Sequence, residues 1–341
     1  MPKGDKKWRV LITGPQVAKE AMAILEERTL WQATGPYPKA EQVAAAAAKE
    51  KVDGIIVRMG KIGIEALKAS PSLKILVKHG VGYDNIDIEA ASRMRIPVCV
   101  TPNANYHSVA EHALTMMMTL SKNLIFHDAR LHGGVWDKST GLGTELYRKC
   151  LGIIGVGRIG RRLAHLVQSF DISVIGYDPY LPSEKFPQNI RPVKTLEELL
   201  KEADYVSIHC AQTEKTDGLI GTKELQQMKP RAILINTARG GIVNEEALVK
   251  ALENGVIGGA GLDCFAKEPI SPENPLLKIP HRLILSPHVA GATQESVIRM
   301  GMEAVEILLG FLDEGRLDPE VLVNAAVLGS GFSQGRETGG R

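Results

Sequence analysis

Residues 151–180, LGIIGVGRIG RRLAHLVQSF DISVIGYDPY, constrain this chain more than any other stretch. An apolar run of strand length leads directly into Gly155, Gly157 and Gly160 in the GxGxxG spacing, and then into an apolar pattern of helical period. That order builds a strand, a tight turn and a helix. Gly155 permits the turn, Gly157 has no side chain to keep a pyrophosphate off the backbone, and Gly160 lets helix and strand pack closely. The phosphates then sit on the free N–H groups of the helix start, where the macrodipole favours negative charge. A second apolar run, ISVIGY, ends in Asp178, eighteen residues after Gly160. A carboxylate there suits both ribose hydroxyls of NAD and repels the 2′-phosphate of NADP. Glycine turns between strand and helix are common for structural reasons alone. The flanking strands and the acidic residue turn this one into a dinucleotide site.

The rest of the sequence must supply the substrate side. Its 341 residues are enough for two domains, each with its own core. A formal net charge of +2, with Lys and Arg scattered, argues against a nucleic-acid partner. The basic opening (Lys3, Lys6, Lys7) runs straight into a strand and no apolar run reaches membrane-spanning length, so the expectation is a cytoplasmic protein with no membrane partner. Cys99, Cys150, Cys210 and Cys264 lie far apart, three of them in or at the end of apolar runs. They read as reduced, mostly buried residues rather than disulfides or metal ligands, and no metal is expected.

Strands and helices alternate through both halves. RVLIT (9–13) starts a series that continues with helices at 17–27 and 40–50, GIIVR ending at Arg58, a helix at 64–69, LKILV ending at Val77, a helix at 88–94, and PVCVT. Residues 108–132 read as one long helix capped by Ser108 with Glu111 three positions on, in which Met116, Met117 and Met118 serve core packing or subunit contact rather than a cofactor. A Gly-rich link (133–143) precedes the second half, where YVSIHC, AILINTA, GGAGLD and LILS have strand character. The last helix, 294–314, should pack back on the first domain. The fold expected is α/β with two doubly wound parallel-sheet domains. A Rossmann NAD-binding domain (104–295) is inserted into a discontinuous, flavodoxin-like substrate domain (1–103 and 296–328), and the Gly-rich tail 329–341 is disordered.

Three groups follow strands of the second half, where a doubly wound fold binds its ligands: Arg239 in NTARGG, Glu268 in LDCFAKEP and His288 in LSPHVAG. Singly each has a bland reading as a surface charge, a loop end or a structural histidine. Together they fit hydride transfer between nicotinamide and a 2-oxo acid. The carbonyl oxygen that becomes alkoxide-like needs a proton, which histidine can give or take near neutral pH. A neighbouring Glu268 would fix the imidazole and favour its protonated form. Arg239, planar and permanently charged, can hold a substrate carboxylate and polarise the carbonyl.

From HGVGYDNID through TPNANYHSVAEHAL, GIIGVGRIGRRLA, INTARGGIVNEEAL and AGLDCFAKEP to LSPHVAGAT, nearly the whole chain resembles the D-isomer-specific 2-hydroxyacid dehydrogenase family. The resemblance implies that Arg239, Glu268 and His288 are catalytic. It implies cofactor contacts from Val81, Arg158, Ile159, Asp178, Cys210, Thr237, Ala238, Arg239 and Asp263, and from the turn His288 to Gly291. Substrate contacts would come from Arg58, Lys78, His79, Gly80 and Val81, where the loop offers backbone N–H groups to a carboxylate. A homodimer through the nucleotide-binding half is implied as well. Substrates of this family include 3-phosphoglycerate, glycerate or hydroxypyruvate, and glyoxylate; Arg58, Lys61 and Lys78 bring positive charge that would suit a phosphate. Tyr106 and His107 are bulky for their place and would line the substrate pocket. Where the family shows Gly-Lys-Thr before the first nucleotide strand, this chain has Arg148, Lys149 and Cys150. The same fold serves formate and phosphite dehydrogenases and NAD-sensing corepressors. Glu268 stands where the formate enzymes carry glutamine, whereas the three residues do not separate the chain from the corepressors.

Overall fold

The computed structural model describes residues 7–325, so the expected disordered tail at 329–341 lies outside the described residues. In chain order the elements are β1 (Trp8–Thr13), α1 (Lys19–Arg28), β2 (Thr29–Ala33), α2 (Ala40–Glu50), β3 (Gly54–Val57), α3 (Ile64–Ala69), β4 (Ile75–Lys78), α4 (Ile88–Arg93) and β5 (Val98–Cys99). Then follow α5 (Tyr106–Ser121), α6 (Leu124–His132), β6 (Cys150–Ile154), α7 (Arg158–Leu166), β7 (Ser173–Tyr177), β8 (Arg191–Pro192), α8 (Leu196–Glu202) and β9 (Tyr205–Ile208). The series ends with α9 (Thr222–Gln227), β10 (Ile233–Asn236), α10 (Glu245–Glu253), β11 (Gly259–Leu262), β12 (Leu283–Leu285) and α11 (Gln294–Glu314). The chain divides into two compact units, residues 7–105 with 292–325, and residues 106–291.

In the first unit a five-stranded sheet has the order β2-β1-β3-β4-β5, every pair parallel. This is the flavodoxin-like order. Its strands are apolar almost without interruption because both faces are covered. Val10, Ile12, Ile56, Ile75 and Val77 pack against Ala21 and Leu25 of α1 and Ala304 and Leu308 of α11. Leu11, Ile55, Val57, Leu76 and Val98 meet Val43, Ala47, Leu67 and Ala90 on the other side. β5, at the sheet's edge, is closed by the returning chain: the Val100 N–H donates to Val321 O at 2.9 Å and the Val323 N–H to Val98 O at 2.8 Å. Asn324 completes the seam, its Oδ1 accepting from Val98 N at 2.8 Å while its Nδ2 donates to Ile96 O at 3.0 Å.

In the second unit seven parallel strands run β12-β11-β10-β9-β6-β7-β8. The order reverses at β6 and β9, the switch point where such sheets bind dinucleotides. Here the expected long helix over 108–132 needs correction. It starts at Tyr106 and breaks into α5 and α6, because Asn123 adopts the left-handed conformation (φ +49°). The loop 141–144 then closes the end of α5: Thr144 N donates to Ser121 O at 2.7 Å, and the Asn123 side chain donates from Nδ2 to Gly141 O at 2.9 Å. Ser108 is not a cap either; it lies inside α5 and its Oγ donates to Ala290 O at 2.6 Å. Met116 and Met117 are buried, Met116 against Gly261 of β11, whereas Met118 is exposed. All four cysteines are free thiols. Among the described residues no helix is long and apolar enough to cross a membrane.

Candidate active site

The three glycines of the nucleotide loop meet three different demands. Gly155 has φ +91°, and a Cβ there would lie 2.7 Å from the backbone nitrogen of Cys210, so the turn after β6 is pressed against the turn after β9. Gly160 is the first-turn residue of α7 that touches the strand; its Cβ would lie 2.6 Å from Gly155 O. Gly157, the N-cap, is different, since nothing lies within 4 Å of the Cβ position. Open space therefore faces the start of α7, where Arg158, Ile159 and Gly160 lead a helix whose first N–H groups have no intrahelical acceptor.

At the end of β7, Asp178 is half-buried and held by two backbone donors, Val156 N to Oδ2 and Tyr180 N to Oδ1, both at 3.0 Å. Each oxygen keeps a second acceptor direction for a hydroxyl. Two buried polar atoms nearby in the fold lack partners, Thr237 Oγ1 after β10 and His209 Nδ1 after β9. Orphaned polar atoms at the carboxyl ends of the strands, an open helix start and an anchored acid fit a dinucleotide. His209 is a residue that sequence reasoning passed over in favour of its neighbour Cys210. Its Nε2 is 2.8 Å from Ser207 Oγ, and burial pushes its pKa down to about 3, so it is neutral. The Cys210 thiol is pushed up by burial to about 11 and stays protonated.

Arg239, Glu268 and His288 are brought together by backbone contacts as well as by side chains. His288 Nδ1 lies 2.8 Å from Glu268 Oε2, and the Phe265 N–H holds the other carboxylate oxygen at 3.0 Å. The pair faces solvent, with side-chain exposures of 48% for His288 and 38% for Glu268. Burial works to raise the Glu268 pKa, but the hydrogen bonds from His288 and Phe265 and the nearby charges of His288 and Arg239 outweigh it and hold the carboxyl below its usual range. Arg239 arrives on a loop shaped by Asn236, which donates from Nδ2 to Arg239 O at 2.8 Å and accepts from the Ala238 N–H at 3.0 Å. Gly240 then lies flat on the backbone of Phe265, so close that a Cβ would fall 1.8 Å from the Phe265 carbonyl carbon. Only glycine allows the Arg239 loop to reach the segment that carries Glu268.

His288 itself has φ +55°, in the left-handed region. Its turn is gripped by Asp263, whose Oδ1 accepts from Val289 N at 2.9 Å and whose Oδ2 accepts from Ala290 N at 2.7 Å. Asp263 thus already serves its own chain in addition to any nicotinamide contact, and Gly291 closes the same turn.

The first unit holds the residues read as substrate contacts, and they cluster beyond the β1/β3 switch point of its sheet. Arg58 Nη1 donates to Pro15 O at 2.7 Å and to Gln16 O, its Nε is buried without a partner, and burial lowers its pKa. Lys78 Nζ reaches Arg58 O at 3.2 Å and Asn85 Oδ1 at 3.1 Å. The expectation that this loop offers its amides to a carboxylate needs correction at two positions. The His79 N–H goes to Val57 O at 3.0 Å and the Gly80 N–H to Thr101 Oγ1 at 2.8 Å, because the loop is tied into the sheet. Val81 follows, half-buried. Tyr106 and His107, at the start of α5, stack on each other with ring centroids 4.0 Å apart. Arg148, where the family pattern has glycine, has φ +57°, the conformation that glycine takes without strain.

A family model described as the NAD binding domain of D-isomer specific 2-hydroxyacid dehydrogenases matches residues 114–290. The D-3-phosphoglycerate dehydrogenase of Mycobacterium leprae (strain TN) is 38% identical over 261 residues, 76% of this chain and 49% of that protein. The chain therefore spans about half the length of the first curated relatives it matches. The glyoxylate reductase of Korarchaeum cryptofilum (strain OPF8) is 35% identical over 330 residues, 94% of this chain and 97% of that one. A solved glyoxylate reductase from Paecilomyes thermophila superposes with a TM-score of 0.83 at 28% identity, covering 93% of this chain and 98% of that one. With two parallel α/β sheets, the dinucleotide loop and these matches, the chain belongs to the D-isomer specific 2-hydroxyacid dehydrogenase family.

Proposed function

We propose that the protein interconverts a small D-2-hydroxy acid and its 2-oxo acid with NAD(H), and that Arg239, Glu268 and His288 are its catalytic residues. The observation that carries this reading is the 2.8 Å bond between His288 Nδ1 and Glu268, made beside the loop of Arg239. With Nδ1 engaged, Nε2 is the nitrogen left to exchange a proton. When bound, NADH supplies the hydride; residues 155–160, Asp178, Cys210, Thr237 and Ala238 would hold it. In the reductive direction His288 gives the Nε2 proton to the substrate oxygen as its carbon–oxygen π pair becomes the new O–H bond, and the imidazole is left neutral. Glu268 keeps the ring oriented through its bond to Nδ1. Arg239 holds the substrate carboxylate.

Among substrates, small 2-oxo acids such as glyoxylate or hydroxypyruvate are favoured over a phosphorylated one. Support comes from Arg58 Nη1 and Lys78 Nζ, which are already engaged by the carbonyls of Pro15 and Gln16 and by Asn85 Oδ1. Dimerisation with a second copy through the nucleotide-binding unit is supported by the exposed apolar side chains Leu124, Ile125 and Leu131 of α6, together with Trp136 (77% exposed) and Leu142 (80%). Four free thiols suit a reducing cytoplasm.

The test is a spectrophotometric screen of 2-oxo acids against NADH, followed by His288→Ala. Wild type should oxidise NADH with glyoxylate or hydroxypyruvate. The variant should bind NADH normally and lose roughly 100- to 10,000-fold in kcat. Turnover that survives the substitution would refute the acid–base role, and sedimentation velocity reads the dimer.

A further inference from the structure

We propose that His112, acting through Ser286 and Asp263, is a positioning residue for the turn that carries His288. This deepens the reading above and rests on it.

A residue with a Cβ does not keep φ +55° unaided, so something must hold His288 there. Three backbone donors do so. The His288 N–H bonds to Ser286 O at 3.0 Å, and the next two N–H groups, of Val289 and Ala290, converge on the two oxygens of Asp263. Asp263 is only 1% exposed, and burying a carboxylate is costly unless hydrogen-bond donors meet its oxygens. Its remaining donor is Ser286 Oγ, 2.5 Å from Oδ1.

The direction of the chain beyond that point follows from counting hydrogens. A hydroxyl has one hydrogen, and an ionised carboxylate can only accept, so the Ser286 hydrogen goes to Asp263. His112 Nε2 lies 2.9 Å from the same Oγ and must therefore carry the hydrogen that Ser286 accepts. The same Nε2 is 3.7 Å from Asp263 Oδ1, so its N–H also faces the negative charge. The result is a directed relay: His112 on α5 donates to Ser286 after β12, Ser286 donates to Asp263 after β11, and Asp263 receives the amides on the C-terminal side of His288. The relay ends on the backbone of the turn that aims the imidazole at Glu268. If His112 is removed, Ser286 loses the donor that orients its hydroxyl, and the grip of Asp263 on residues 289 and 290 slackens.

The test uses the full chain and four substitutions: His112→Leu, His112→Gln, Ser286→Ala and Ser286→Thr. The first readout is amide hydrogen exchange at Val289 and Ala290 in the ligand-free protein. His112→Leu and Ser286→Ala should speed exchange there by about tenfold or more while core strands are unaffected. The second is steady-state kinetics with NADH and glyoxylate. The same two variants should lose roughly 10- to 100-fold in kcat with the KM for NADH held within about twofold, since a misaimed ring costs rate rather than cofactor affinity. Gln keeps an N–H at the position of Nε2 and Thr keeps the hydroxyl, so these two should restore most of the protection and the rate. Unaltered exchange at both amides would overturn the proposal, as would a kcat loss that Gln and Thr do not rescue. If wild type turned over no 2-oxo acid, the functional reading would fall, while the exchange data would still decide whether His112 holds the turn.

Discussion

Replacing Gly157 by alanine should separate cofactor binding from folding. An added Cβ meets no heavy atom within 4 Å, and φ −81°, ψ −163° is extended backbone that alanine adopts. Two small effects act on the ligand-free protein in opposite directions. Alanine is a poorer N-cap than glycine by some tenths of a kcal/mol, while the stiffer unfolded chain gives back about 0.4–1 kcal/mol. The net change should stay within about 0.5 kcal/mol. With NADH the sum is different, because the methyl group stands in the space at the start of α7 that a pyrophosphate would need. Overpacking of that size costs about 1–3 kcal/mol, which is roughly a 5- to 150-fold rise in Kd. Gly160→Ala is the contrasting control: its Cβ would lie 2.6 Å from Gly155 O and 2.8 Å from Ile153 Cγ2, so the apo-protein itself should lose about 1–3 kcal/mol. Thermal unfolding without ligand and a fluorescence titration with NADH read the two quantities. An unchanged Kd in Gly157→Ala would refute the assignment of that open space to the cofactor.

Gly240→Ala should act on catalysis instead. Its Cβ would begin 1.8 Å from the Phe265 carbonyl carbon, so the Arg239 loop must retreat by roughly 2 Å to reach an ordinary contact distance. A shift of that order should cut kcat by about 100-fold, and wild-type kcat would show that Arg239 need not sit there. Asp178→Ser should weaken NADH binding by about 1–2 kcal/mol and narrow the preference over NADPH; an unmoved ratio of the two Kd values would mean that the carboxylate does not select. Acid stability should depend on His79, whose pKa is pushed down to about 3 by burial and by Arg58 and Lys78. The unfolded histidine takes up a proton near pH 6.5, so this contribution is complete above that pH and is lost as pH falls toward 3. About 2 kcal/mol should be gone at pH 5. His79→Asn should narrow the difference in Tm between pH 7 and pH 5, and an equally steep fall in both proteins would count against it.

Much of this fold could be read from periodicity, because its strands are buried on both faces and stand out as apolar blocks. α3 and α11 begin and end where the pattern places them, at Ile64–Ala69 and Gln294–Glu314. β2 was not legible: Thr29–Ala33 is an edge strand that follows α1 without a loop, and TLWQA has neither clear alternation nor a turn in front of it. The break at Asn123 was hidden for another reason. Helical spacing of apolar residues continues across it, and what ends α5 is a loop about twenty residues later whose Thr144 N–H donates to the Ser121 carbonyl and whose Gly141 carbonyl holds the Asn123 side chain. Ser108 shows the limit of a local motif, since Ser-x-x-Glu resembles a cap yet the hydroxyl is claimed by Ala290, far along the chain. The candidate site divides the same way. Glycine spacing and the residues after strands are local signals, whereas His112 and Ser286 acquire meaning only through Asp263, which no spacing connects to them.

The seam on β5 matters to anyone who cuts or extends this chain. A stretch of only four residues, 321–324, satisfies the outer side of a strand whose own two residues have little else to shield them. A chain cut after α11 would retain every residue of the proposed chemistry and still bare a template on which molecules can stack edge to edge. Such a truncation would be lost to association before any loss of catalytic competence could be measured. Purification handles therefore belong beyond Asn324, and a shortened protein that comes out insoluble says nothing about its active centre.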